Sequence, residues 1–150
     1  RGESGERSLA ADGFFVGAYA TKMEPSEIMT EIRIPVAAAG TGYAYAKLKR
    51  KVGDFATAAA AVTLRLKGGM VQEVVIALTN VGPTVLRARA AEDALRGKAL
   101  NDASMAKAAR LAMSICDPAT DQRGDAEYRT AMAGEMTRRA LRTAASRAAR

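Results

Sequence analysis

The apolar residues of this chain change their period once, at Pro83, and that change selects among the folds open to it. Before it, Tyr43, Tyr45 and Lys47 alternate with Ala44, Ala46 and Leu48 in a segment running from about Tyr43 to Lys51. Val62, Leu64 and Leu66 then alternate with Thr63, Arg65 and Lys67. A period of two belongs to a strand with one buried face. Gly68-Gly69 supplies the positive-φ residues of a tight hairpin, and Val74, Ile76 and Leu78 mark the core face of the return strand. Beyond Pro83 the period is nearly four. Thr84 can cap VLRARAAEDALRG, which stops at Gly97, and Asn101 or Asp102 can cap ASMAKAARLAMSIC. A third helix opens near Asp125, with Tyr128, Met132, Met136 and Ala140 at i, i+4 spacing. Strands in series followed by helices in series predict an α+β domain: a small antiparallel three-stranded sheet with three helices.

Upstream, residues 1 to 26 read as loop around the apolar patch Phe14-Phe15-Val16. In EIMTEIRIP, Ile28, Ile32 and Ile34 alternate with Met29, Glu31 and Arg33, which predicts a strand closed by Pro35. A flexible connection from Val36 to Gly42 follows. The opening RGESGERSLAADGFF is not a secretory signal and has no initiator methionine, so a piece of a longer chain is expected. No apolar run approaches the roughly 20 residues that span a bilayer, and the expected compartment is the cytoplasm.

With 150 residues, 49% of them hydrophobic, the chain can bury a core without staples. It has one cysteine, Cys116, and no histidine. An internal disulfide, Cys/His zinc sites, Ser-His or Cys-His nucleophile pairs and histidine general-base catalysis are therefore excluded within it. The net charge of +7 suits an acidic partner, a nucleic acid or simply a basic surface. Phosphate contacts could come from the basic run Lys47 to Lys51 and from Arg129, Arg138, Arg139, Arg142, Arg147 and Arg150 of the last helix. Without interleaved aromatics a solvated helix face is the plainer reading, and no nucleic-acid partner is expected. Met105, Met113, Met132 and Met136 read as core filler, and Cys116 as a small buried hydrophobe rather than a reactive thiolate. Gly40-Thr41-Gly42 lacks the lysine and strand-loop-helix context of a phosphate loop.

The junction Gly53-Asp54-Phe55-Ala56 is more informative. A carboxylate after a cationic strand, then an aromatic and small residues, suits a planar ligand lying close to the backbone. The plainer reading, favoured by burial preferences alone, is a strand-to-strand turn with Phe55 in the core and Ala58 to Ala61 packed under a helix.

Several ordered segments resemble the C-terminal part of the FAD-binding medium subunit of molybdenum hydroxylases, the carbon monoxide dehydrogenase and xanthine dehydrogenase superfamily. FFVGAYATKMEPSEIMTEIRIP is similar to the end of the second flavin-binding domain, with its double aromatic, Thr and Pro-x-Glu-Ile. YAKLKRKVGDFATAAAAVTL resembles the start of the C-terminal domain, and LTNVGPTVLRARAAEDALRGK and DPATDQRGDAEYRTAMAGEMTRRAL resemble its later strand and helices. The resemblance divides the chain into residues 1–36, the end of an FAD-binding domain, and 37–150, a C-terminal α+β flavoprotein domain. It implies a subunit, of the carbon monoxide dehydrogenase type, that relays electrons from iron-sulfur clusters through FAD to an acceptor such as a quinone. A large molybdenum subunit, holding the molybdenum cofactor, and a small subunit with [2Fe-2S] clusters would be its partners. Association of the complex with the inner face of the membrane is an open alternative.

The resemblance also implies that Met29, Lys47 and Phe55 approach the flavin, Phe55 standing where relatives have a tyrosine, with Asp54 orienting the turn. A cation near the pyrimidine end of the ring would stabilise reduced flavin, which gives Lys47 a physical role. No residue of the chain is expected to perform acid-base catalysis. The two glycine-rich FAD pyrophosphate segments of the family do not occur here, so the chain alone is expected to bind FAD weakly or not at all and to be inactive. The competing class is a stand-alone basic module that binds an acidic protein or nucleic acid.

Overall fold

A computed structural model describes residues 1–149, which form two compact units, residues 1–37 and the residues from Ala38 onward. The first unit is mostly irregular. Its short hairpin pairs β1 (Phe15–Gly17) with β2 (Ala20–Thr21), and Tyr19 takes a left-handed φ of 57° at the turn. Arg7 holds Glu27 through two hydrogen bonds of 2.5 and 2.7 Å, and the Glu24 amide donates to the same carboxylate. Arg7 thereby leads the causes that depress the Glu27 carboxyl to about 2. The strand expected at residues 28–34 does not form: Ile28, Ile32 and Ile34 are exposed, and no strand among the described residues pairs with them. Alternation supplies a face, but a strand also needs a hydrogen-bonded neighbour.

In the second unit the strands are β3 (Thr41–Leu48), β4 (Ala58–Lys67), β5 (Met70–Thr79) and β6 (Leu86–Arg87). They form one antiparallel sheet in the order β3-β4-β5-β6. The sheet therefore has four strands rather than the three read from the sequence. Pro83 and Thr84 do not open a helix. Instead Leu86 and Arg87 pair with Leu78 and Ala77, which satisfies the free edge of β5, and α1 (Arg89–Leu95) starts only after that ladder ends. A two-residue strand carries too little alternation to be visible as a period. Gly68 and Gly69, at φ 57° and 76°, make the expected hairpin between β4 and β5.

Helix α2 (Asp102–Met113) begins at Asn101 with a reciprocal capping box. The Asn101 side chain accepts from the Ser104 amide and the Ser104 hydroxyl accepts from the Asn101 amide, both at 2.9 Å. Helix α3 (Ala126–Ala148) is capped by Asp125, which accepts from the Tyr128 amide at 2.7 Å. Among the described residues, no helix is long and apolar enough to cross a membrane.

The core lies between one face of the sheet and the helices. Ala58, Ala60, Val62 and Leu64 of β4 meet Ala140, Leu141 and Ala144 of α3, with Met105 and Met136 filling space as expected. Small residues are required because α3 crosses β3 almost backbone to backbone. A Cβ placed on Gly42 would lie 1.9 Å from the Ala144 carbonyl oxygen and 2.5 Å from the Ala148 nitrogen. Neither neighbour can move without lifting the helix. Gly42→Ala should therefore cost about 3 kcal/mol or more, read as a lower urea midpoint with an unchanged slope; an unaltered midpoint would show that the helix does not seat on Gly42.

Candidate functional site

The site residues singled out in the second unit fall at one end of the sheet. Lys47 is the penultimate residue of β3, on the solvent face with Tyr43 and Tyr45. Among the described residues no ion pair or hydrogen bond engages its ammonium. The last β3–β4 pair is Leu48 with Ala58, and the Thr57 amide donates to the Leu48 carbonyl at 2.8 Å, closing a loop that contains Lys49 to Ala56. Within it the Asp54 amide donates to Lys51 O at 3.2 Å, and Gly53 adopts the φ of 81° that a type II turn requires.

The Asp54 carboxylate accepts from the Phe55 amide at 2.9 Å and from the Arg123 guanidinium at 3.0 Å. Its side chain is only 9% exposed. Phe55 itself is 77% exposed, so the core position of the plainer reading is not taken up. The small-residue part of that reading holds only in part: Ala58 and Ala60 join the core with α3, whereas Ala59, though buried, and the partly exposed Ala61 lie on the opposite face of the strand. The Arg123 guanidinium lies 6.0 Å from the Phe55 ring centroid. Met29 belongs to the first unit, where it is exposed, and is described there by itself.

Sequence reasoning missed the arginines that secure this loop. Arg129, 2% exposed, donates to Thr57 O at 3.2 Å, Asn80 O at 3.4 Å and Gly124 O at 3.2 Å, and pairs with Asp121. The Asn80 side chain in turn donates to Ala56 O. Asp121 also accepts from the Arg123 amide at 2.8 Å, and that amide, then Arg129, depresses its carboxyl below the usual range. The only available signal was a run of Asp, Arg and Gly before α3, which in isolation resembles any polar connection.

Residues 43–144 match the pattern of the CO dehydrogenase flavoprotein C-terminal domain. The chain belongs to that family. It is 53% identical over 148 residues to the carbon monoxide dehydrogenase medium chain of Hydrogenophaga pseudoflava, covering 99% of this chain and 52% of the relative. The corresponding chain of Afipia carboxidovorans is 53% identical over 147 residues, covering 98% and 51%. A solved carbon monoxide dehydrogenase from Hydrogenophaga pseudoflava, lacking the Mo-pyranopterin moiety of its cofactor, superposes with a TM-score of 0.95 at 57% identity, covering 97% of this chain and 50% of that one. The chain thus spans about half the length of the curated relatives it matches.

Within this family domain, α3 does not present a free basic stripe. Arg138 and Arg139 pair with Glu135, Arg142 with Asp102, and Arg147 donates to Tyr43 O at 2.7 Å; Arg150 lies outside the described residues. Helix-face pairs of this kind leave fewer guanidinium groups for phosphate, against the stand-alone nucleic-acid module. Cys116 is half-buried, its thiol donates to Ala112 O at 3.4 Å, and burial pushes it up to about 11. At pH 7.5 almost none of it is thiolate. Native protein should therefore react with iodoacetamide far more slowly than protein unfolded in urea; equal rates would contradict the upward shift that partial burial imposes on the thiol.

Proposed function

We propose that this domain is the C-terminal part of the FAD-binding medium subunit of an aerobic carbon monoxide dehydrogenase. The observation that carries the reading is the match of residues 43–144 to a flavoprotein domain, in a chain 53% identical to two carbon monoxide dehydrogenase medium chains. When bound, FAD supplies one- and two-electron transfer between iron-sulfur clusters and an acceptor such as a quinone.

The residues present suit one edge of such a cofactor. Phe55 offers an exposed ring on a braced turn, and Lys47 offers an exposed ammonium on the same end of the sheet. Phe55 would bound the flavin by an apolar contact and exclude water from it. Lys47 would stabilise negative charge at the pyrimidine edge, and Asp54 would hold the turn rather than exchange protons. Among the described residues none of the glycines forms the dinucleotide cradle that holds a pyrophosphate, so these side chains would position the ring while affinity comes from elsewhere.

In this proposal the partners are a large subunit carrying the molybdenum cofactor and a small subunit carrying [2Fe-2S] clusters, in a cytoplasmic complex that meets its acceptor at the inner face of the membrane. The natural full-length protein, purified with whatever subunits accompany it, tests the reading. Its visible spectrum should show flavin and iron-sulfur absorbance that bleaches when carbon monoxide is added without oxygen. Flavin absorbance that carbon monoxide leaves unchanged, while another substrate of the superfamily bleaches it, would overturn the carbon monoxide assignment; a colourless preparation that takes up no FAD would overturn the flavoprotein reading.

A further inference from the structure

An aromatic side chain left 77% exposed loses the favourable burial that a looser loop would let it recover. The loop around Phe55 is the opposite of loose. At its base, the buried Arg129 guanidinium holds Thr57, two residues beyond Phe55, to Asn80 and to the turn at Asp121 and Gly124. At its tip, Arg123 reaches Asp54 across 69 residues of sequence and lies beside the Phe55 ring. Asp121 joins the two, since it accepts from the Arg123 amide and pairs with Arg129. The result is an unbroken path of charge-assisted contacts, Arg129 to Asp121 to Arg123 to Asp54, that ends on the Phe55 amide. A plain connection between β3 and β4 needs only the Gly53 turn and the Leu48–Thr57 hydrogen bond. The additional bracing acts on the loop's one aromatic residue, whose ring is exposed.

We infer that Arg123 is a positioning residue for the flavin: by gripping Asp54 and flanking the Phe55 ring, it presents that ring in one orientation to the cofactor. This rests on the reading of Phe55 as flavin-facing. Its physical content is preorganisation. A ring already held in its bound position loses less conformational freedom when the flavin arrives, so affinity should depend on a residue that need not touch the cofactor. Arg123 suits the test because it is partly exposed and outside the core, whereas replacing Arg129 would leave buried carbonyls unpaired and threaten folding.

The experiment uses the natural full-length protein, stripped of flavin, with three single variants: Arg123→Gln, Arg123→Lys and Phe55→Ala. FAD affinity is measured by quenching of flavin fluorescence, loop accessibility by the rate of tryptic cleavage at Lys49 to Lys51 in the flavin-free protein, and stability by thermal unfolding. Arg123→Gln should weaken FAD binding by about three- to tenfold and speed cleavage at that segment, with Tm within about 2 °C of the parent. Arg123→Lys keeps the charge opposite Asp54 but not the planar group beside the ring, and should restore part of the affinity. Weaker binding in Phe55→Ala with no change in Arg123→Gln would overturn the inference and leave the flavin-facing reading standing. Unchanged binding in Phe55→Ala would overturn both. An unaltered cleavage rate in Arg123→Gln would contradict the grip on the loop whatever the flavin does.

Discussion

The close crossing of α3 over β3 is the constraint from which much of the second unit follows. Helix and strand approach until only hydrogen fits between Gly42 and the Ala144 carbonyl. At such separation the facing positions must be small, and Ala58, Ala60, Ala140 and Ala144 supply them. This accounts for the contrast within residues 47 to 64. The cationic half lies on the solvent side and in the loop beyond β3, while the alanine-rich half begins β4, beneath the helix. The Gly53-Asp54 step between them turns the chain from one environment into the other.

Two buried ions fasten the edges of this layered structure. Glu92, 1% exposed, accepts from the Ile76 amide at 3.0 Å and from Arg87 at 2.9 and 3.1 Å, so it binds α1 to β5 just where β6 stops. Arg129 does the equivalent work at the end of β5, taking up the carbonyls of Thr57 and Asn80. Glu92 also pairs with Arg96 at 3.6 Å, yet removing Arg87 or Asp121 would leave a buried charge with less to offset its desolvation, which makes such groups demanding of their neighbours rather than simply stabilising. The second of these ions also anchors the loop that carries Phe55, so core architecture and candidate site share a residue.

Local periodicity made much of the second unit legible. The β3, β4 and β5 meander, the Gly68-Gly69 hairpin and helices α2 and α3 all follow from patterns that each segment carries within itself. What escaped depended on distant partners. Residues 28–34 alternate correctly but lack a paired neighbour, and Leu86-Arg87 becomes a strand only because β5 offers an open edge. The same distinction applies to the site. Asp54 and Phe55 were visible as an unusual junction, whereas Arg123 and Arg129 act 69 and 72 residues away from the residues they grip, a separation at which no sequence spacing signals contact.

The central claim is that the end of the sheet bearing Lys47 and Phe55 faces an isoalloxazine ring. Lysine reactivity tests it most directly. The natural full-length protein, stripped of flavin and then reconstituted with FAD, would be acylated briefly and its modified lysines compared by mass spectrometry. The account predicts that FAD protects Lys47, while Lys67 and Lys98, near the hairpin end of the sheet, react equally in both states. Equal reactivity of Lys47 with and without bound FAD would contradict it.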